Sequence, residues 1–232
     1  TGIWSVISDH DRGEKLSVGH PTVAGDVVIL DPTLTTTMPP HVTAATGFDV
    51  ITHAVEALVA TGRSNLTAPY ARAGLDLALK QLPVAVENGD DLKAREDMLT
   101  ASYLAGLAMS NAGLGAVHGI SHSIGGLYDT PHGHTNALLL PAVVRHNAQG
   151  SALARGVYAD ICADTNSPGE TLATQLTTLR ETVGLDAELQ GLPADPDWEQ
   201  IGELAVENVN TETNPAELTP DAVVDICRRV FE

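Results

Sequence analysis

The sequence predicts a mainly α-helical chain, and three observations carry that expectation. Apolar residues recur with helical periodicity in nine segments after residue 42; only two short β-prone runs occur, both before residue 31; and Pro39-Pro40 separates the two regimes. The first run, Ile3-Trp4-Ser5-Val6-Ile7-Ser8, closes at Asp9 to Gly13, and the second, Val27-Val28-Ile29-Leu30, closes at Asp31-Pro32. Helices are expected over 43–60, 67–88, 92–112, 115–127, 135–148, 151–164, 168–183, 197–209 and 219–231. Asn88-Gly89-Asp90-Asp91 supplies a helix stop and turn, while Ser167-Pro168-Gly169 and Thr219-Pro220 supply helix entries. Pro83 should kink or end the second helix early, because it lacks an N–H and its ring crowds the preceding turn. Two strands are too few for an independent sheet. They are expected to pair with each other across a dimer or with another domain. Thr1-Gly2, with no initiator Met, suggests a portion of a longer protein.

Composition narrows the function classes. The 232 residues carry 30 acidic against 12 basic side chains, a net charge of −18, and the only lysines are Lys15, Lys80 and Lys93. Nucleic acid is a poor partner for such a chain, because displacing phosphate counterions takes Lys and Arg. An acid-rich, lysine-poor surface suits high salt, where screening removes self-repulsion, although an ordinary acidic protein has the same look. No apolar run reaches the roughly 18 residues that a membrane span needs. No basic segment followed by an apolar one opens the chain as a signal peptide would. Cys162 and Cys227 are far apart in sequence and form no CxxC pair, so a reducing cytoplasm is the expected location.

The histidines are unevenly placed. Of nine, His118, His122, His132 and His134 fall within one stretch, and His53 lies four residues after Asp49. An i, i+4 spacing puts both side chains on one helical face, which is how helical scaffolds present metal ligands. Taken singly these residues have bland explanations: Asp49 as a helix cap, His132 as a solvated turn residue, an i, i+4 pair as surface or filling. Together on Gly/Ala-rich apolar helices they need partners. Imidazoles with one carboxylate suit Zn(II) or Fe(II) better than Mg or Ca. Gly113-Leu114-Gly115-Ala116-Val117-His118 begins like a dinucleotide fingerprint, but it lacks the third glycine and follows no predicted strand. Those glycines are expected to break one helix and let the next approach closely.

Two segments resemble a known family. Gly47-Phe48-Asp49-Val50-Ile51-Thr52-His53-Ala54-Val55-Glu56-Ala57 is similar to the first signature of the iron-containing (group III) alcohol dehydrogenases, and Asn111 to Gly133 is similar to the second. The similarity runs from Thr1 to about residue 150, and more loosely to Thr213-Asn214-Pro215. It implies a dehydroquinate synthase-like fold, in which an α/β nucleotide-binding domain precedes an all-helical metal-binding domain. Residues 1–38 would then be terminal strands of the nucleotide-binding domain, and 39–232 the helical catalytic domain. The resemblance assigns Asp49, His53, His118 and His132 as ligands of Fe(II) or Zn(II). It puts His122 beside the metal in the substrate pocket and proton relay, and Lys15 near the ribose side of NAD(P); as a histidine, His122 is expected to titrate near neutrality. His134 is expected to be a bystander. The implied reaction moves a hydride between a small alcohol or aldehyde and a nicotinamide, in a cytoplasmic homo-oligomer without nucleic-acid or membrane partners.

Alternatives come from other classes. Maleylacetate reductases resemble the family but lose the aspartate at the position of Asp49. A metal-dependent hydrolase would want a carboxylate base near the histidines, and none is evident in the sequence. A metal-binding fragment without activity is the third reading, since no glycine-rich pyrophosphate loop lies within these residues.

Overall fold

A computed structural model describes residues 2, 4–9 and 14–232; the expectations resting on Thr1, Ile3 and the turn at 10–13 lie outside them. The chain opens with an antiparallel hairpin, β1 (Trp4–Asp9) and β2 (Glu14–Gly19), in the register Trp4 opposite Gly19 through Asp9 opposite Glu14. Short 3₁₀ turns at Pro21–Val23 and Pro32–Thr35 lead to nine helices among the described residues. These are α1 (Pro40–Val59), α2 (Thr67–Glu87), α3 (Leu92–Ala112), α4 (Ala116–Tyr128) and α5 (His132–Gly150), then α6 (Ala152–Cys162), α7 (Pro168–Thr182), α8 (Trp198–Glu207) and α9 (Pro220–Phe231).

The mainly helical expectation holds, and its punctuation has visible causes. Pro168 and Pro220 stand in the first turns of α7 and α9, where a missing N–H costs nothing. The side chains of Asp91 and Thr219 accept from the backbone N–H of Ala94 and Ala222, capping α3 and α9. Pro83 is the exception. α2 runs through it to Glu87, with Leu82 and Ala85 buried on either side, so packing outweighs the roughly 3 kcal/mol that an interior proline costs.

The strand expectation needs correcting. Val27-Val28-Ile29-Leu30 is not a strand; Val27 and Ile29 are 79% and 85% exposed, and the segment has no ladder partner among the described residues. β propensity needs a neighbouring strand to act on. Glu14–Gly19, more polar, becomes the second strand because the chain returns alongside β1. The two strands therefore pair within one chain, and β2 lies against α4.

α1 is the central helix, packed on α2, α3, α5 and α6. By length and composition it is apolar enough to cross a membrane, which the sequence reading did not anticipate. Some 72% of its apolar window is buried inside this fold, so its apolar surface serves the core. Phe48 and Ile51 of α1 join Leu75, Ile120, Leu139, Leu172 and Ile201 in one continuous core. Each such side chain contributes about 1.5–3 kcal/mol on burial.

Gly113 and Gly115 do what the sequence suggested. Gly113 sits at φ 89° and ends α3, where a Cβ would run into Thr213; one on Gly115 would meet Asn214 and Glu56. Gly133 allows a close approach of a different kind. A Cβ there would meet the backbone of Ala45, so this glycine lets the start of α5 lie directly on α1. Gly133→Ala is expected to cost about 1–3 kcal/mol through overpacking against backbone that cannot yield. A urea titration should show a lower midpoint at unchanged slope; an unchanged midpoint would mean that α5 shifts freely.

Candidate metal centre

Three helices bring the polar residues together. α1 presents Asp49, His53 and Glu56 at i, i+4 and i+7, on one side of the helix. α4 presents His118 and His122, and α5 begins with His132 and carries Asn136 one turn later. Asp49 lies well inside α1, with its own turn already hydrogen-bonded, so the cap explanation is excluded. His132 opens a helix and does not sit in a free turn.

Three imidazoles converge on one carboxylate. Asp49 Oδ1 lies 3.5 Å from His118 Nε2 and 3.6 Å from His132 Nε2, while Asp49 Oδ2 lies 3.8 Å from His53 Nε2. Asp49, His118 and His132 each offer a ligand atom within 4.8 Å of the others. His53 stands beside that trio, its ring stacked on His118 at 4.7 Å between centroids. His122 packs 5.2 Å from His132 between centroids, outside the trio. His134 turns away, its Nε2 hydrogen-bonded to the Asp186 carbonyl at 2.8 Å. Lys15 of β2 reaches α4, where a Cβ on Gly125 would touch its ammonium.

Electrostatics follow from burial and neighbours. Burial works against the Asp49 charge, but His53, His118 and His132 outweigh it and hold the carboxyl well below the usual range. Burial also opposes the His118 charge, yet Glu56 and Asp49 push this imidazole up to about 10. His53 is lowered, chiefly by burial. His132 falls to about 4 and His122 to about 2, burial being the largest cause in each and the His118 charge adding to it. His122 therefore does not titrate near neutrality in the metal-free chain, contrary to the expectation from its residue type. Burial lowers the Lys15 ammonium, partly offset by Asp129.

Three polar residues of this neighbourhood carried no role in the sequence reading. Glu56, 2% exposed, accepts from the Val117 N–H at 2.7 Å with Oε1 and meets His118 Nδ1 at 2.5 Å with Oε2. A carboxylate does therefore lie near the histidines, but both its oxygens are engaged, so it is not placed to activate a water. It fixes which nitrogen His118 turns inward. Asn136 approaches Asp49 and His132, and Asn210 donates its side-chain N–H to His122 Nδ1 at 3.2 Å. Helical spacing could have flagged the first two: Glu56 shares the Asp49 face, and Asn136 shares the His132 face.

The cluster walls a cavity of about 420 Å³, lined by His53, His118, His122 and His132 and by apolar side chains including Met109 and Leu114. A cavity of about 490 Å³ elsewhere contains the Arg145–Glu170 pair and none of the predicted site residues.

Residues 43–231 match the profile of the Fe-containing alcohol dehydrogenase family, C-terminal. The chain belongs to the iron-containing alcohol dehydrogenase family. Among iron-containing alcohol dehydrogenases and similar proteins, it is 36% identical to alcohol dehydrogenase 4 of Saccharomyces cerevisiae over 234 residues, covering 99% of this chain and 61% of that protein. It is 37% identical to the 1-propanol dehydrogenase PduQ of Citrobacter freundii over 242 residues, covering 97% of this chain and 65% of that protein. The crystal structure of a 1,3-propanediol oxidoreductase superposes with a TM-score of 0.92 at 33% identity, covering 99% of this chain and 62% of the other. The chain thus spans less than two thirds of the length of these family relatives.

The donor set suits the metal that the family name implies. Three imidazole nitrogens and one carboxylate match borderline divalent ions. All three nitrogens face the Asp49 carboxylate, and among the described residues no lysine or arginine forms an ion pair with it.

Proposed function

We propose that the chain is the metal-binding part of an NAD(P)-dependent dehydrogenase that interconverts a small alcohol and its aldehyde, with Asp49, His53, His118 and His132 holding Fe(II) or Zn(II). The observation that carries this reading is the convergence of three Nε2 atoms on the Asp49 carboxylate at the wall of a largely apolar cavity. A divalent ion in that place would supply Lewis acidity toward the substrate oxygen. The remaining roles fall to this chain. Glu56 orients His118, and Asn210 occupies His122 Nδ1, which leaves the His122 proton on Nε2. From there His122 can donate a hydrogen bond into the cavity and pass a proton outward. Met109 and Leu114 keep the cavity poor in water. Lys15 offers one positive charge on the α4 side toward a nicotinamide cofactor.

The same reading assigns residues 1–38 to an N-terminal nucleotide-binding domain and 39–232 to the helical catalytic domain. The exposed Val6, Ile7 and Val18 of the hairpin support it, as apolar surface that a neighbouring domain could cover. It also places the protein in the cytoplasm as a homo-oligomer, without nucleic-acid or membrane partners.

The 232 residues alone are expected to bind metal yet show no useful alcohol oxidation. Orientation of donor and acceptor carbons supplies roughly 7–11 kcal/mol in well-aligned reactions, and one lysine cannot anchor a dinucleotide to that standard. Joined to the N-terminal portion of a relative, the chain should reduce small aldehydes with NADH or NADPH once Fe(II) or Zn(II) is added. Strong turnover by the short chain would refute the two-domain reading. Ester or amide hydrolysis without nicotinamide would favour a metal hydrolase.

A further inference from the structure

We propose that Asn136 is a positioning residue of the metal centre, whose side-chain amide keeps Asp49 and His132 converged while no ion is bound. The inference rests on the metal reading above and goes beyond its four ligands. Asn136 is fully buried, on α5 one turn after His132. Its Nδ2 lies 2.7 Å from Asp49 Oδ1 and 3.1 Å from His132 Nε2, with His118 Nε2 farther at 3.4 Å. The amide has two N–H hydrogens, and the two shortest contacts take both.

Each contact has a consequence for ligation. The bond to Asp49 Oδ1 aims that oxygen at the two Nε2 atoms. The bond to His132 requires a lone pair on Nε2 and so moves the ring proton to Nδ1. The Nε2 of His132 is thereby kept in the form a cation needs. The buried Nδ1 of His132 has no hydrogen-bond partner, so the surroundings on that side do not impose this tautomer; Asn136 does.

The orientation of the amide is itself informative. Its Oδ1 is buried without a partner. The opposite orientation would place that oxygen 2.7 Å from the Asp49 carboxylate, acceptor against acceptor, which is worse in a site of low dielectric. The side chain thus gives up a hydrogen bond at its carbonyl to serve the cluster with its amino group. Its amino group, with a partial positive charge, stands where Asp49, His118 and His132 meet.

The test uses Co(II) as the probe on the 232-residue chain. Wild type should bind Co(II) with a visible ligand-field band. Asn136→Leu keeps the branched shape, at a larger volume, and removes both donors. It should stay helical and lose about 10–100-fold in Co(II) affinity, in the range seen when groups orienting metal ligands are removed. Imidazole ¹⁵N shifts of the metal-free variant should show His132 gaining the Nε2–H tautomer, which loss of packing alone would not cause. A folded variant with wild-type affinity and an unchanged His132 tautomer overturns the proposal. If the leucine variant does not fold, Asn136→Ala removes the donors without adding bulk or a new ligand. Co(II) should raise its melting point by less than it raises that of wild type; an equal rise overturns the proposal. Failure of wild type to bind Co(II) would instead remove the metal reading, and this inference with it.

Discussion

His118→Ala is expected to abolish tight divalent-metal binding, whereas His122→Ala leaves the metal in place. The two histidines share a helix and differ by one turn, yet their surroundings separate them. His118 Nε2 faces Asp49, its Nδ1 is held by Glu56, and the side chain is 2% exposed. Removing it takes away a central donor and strands the Glu56 carboxylate with only the Val117 N–H. Loss of one partner of a buried charged pair costs about 3–5 kcal/mol, so the variant should also melt earlier. His122 lies outside the trio of converging atoms, with Nδ1 committed to Asn210. Its removal should spare metal content and lower turnover in the assembled enzyme. Elemental analysis and Zn(II) titration of both variants decide the matter. Equal metal loss in the two would make His122 a ligand and end the present assignment.

Glu56→Gln should weaken metal binding by about 10–100-fold although Glu56 would touch no ion. The carboxylate accepts two N–H groups, one from Val117 and one from His118. A glutamine has a single oxygen. If that oxygen keeps the Val117 bond, the amide N–H points at His118 Nδ1 and requires a lone pair there. The ring proton then moves to Nε2, the nitrogen that faces Asp49, and blocks ligation. The variant keeps its volume, so most of its stability should survive, whereas Glu56→Ala should lose several kcal/mol by leaving an imidazolium buried beside a cavity. The readouts are a competition titration with a chromophoric chelator and a thermal melt. Unchanged affinity in a folded Glu56→Gln protein would show that another group sets the His118 tautomer.

How much of this was legible beforehand divides along physical lines. Helix positions were legible because apolar periodicity and punctuation are local: Asn88, Asp91, Pro168 and Thr219-Pro220 mark boundaries that the structure keeps. The ends that slipped have local causes as well. α1 begins at Pro40 and α5 at His132, each about one turn early, since proline and histidine in a first turn carry no apolar signal. Val27 to Leu30 and Pro83 were misread because both outcomes depend on neighbours. A β-branched run is a strand only beside another strand, and a proline breaks a helix only where packing does not hold the turns around it.

The sequence by itself determined the composition of the centre and its pairwise spacing. Asp49 with His53, and His118 with His122, share helical faces because 3.6 residues make a turn, whatever the rest of the chain does. Only the tertiary structure decided which of those faces meet. Gly133 lets α5 settle on α1, which sets His132 beside Asp49 and separates it from His134. Burial and neighbouring charges together then decided protonation: one histidine is held charged between two carboxylates in spite of its burial, and another is held neutral by burial one turn away on the same helix. Glu56, Asn136 and Asn210 went unassigned for the same reason. A polar side chain on a helix looks identical in sequence whether it faces water or a buried imidazole, and only the packing of the helices tells the two apart.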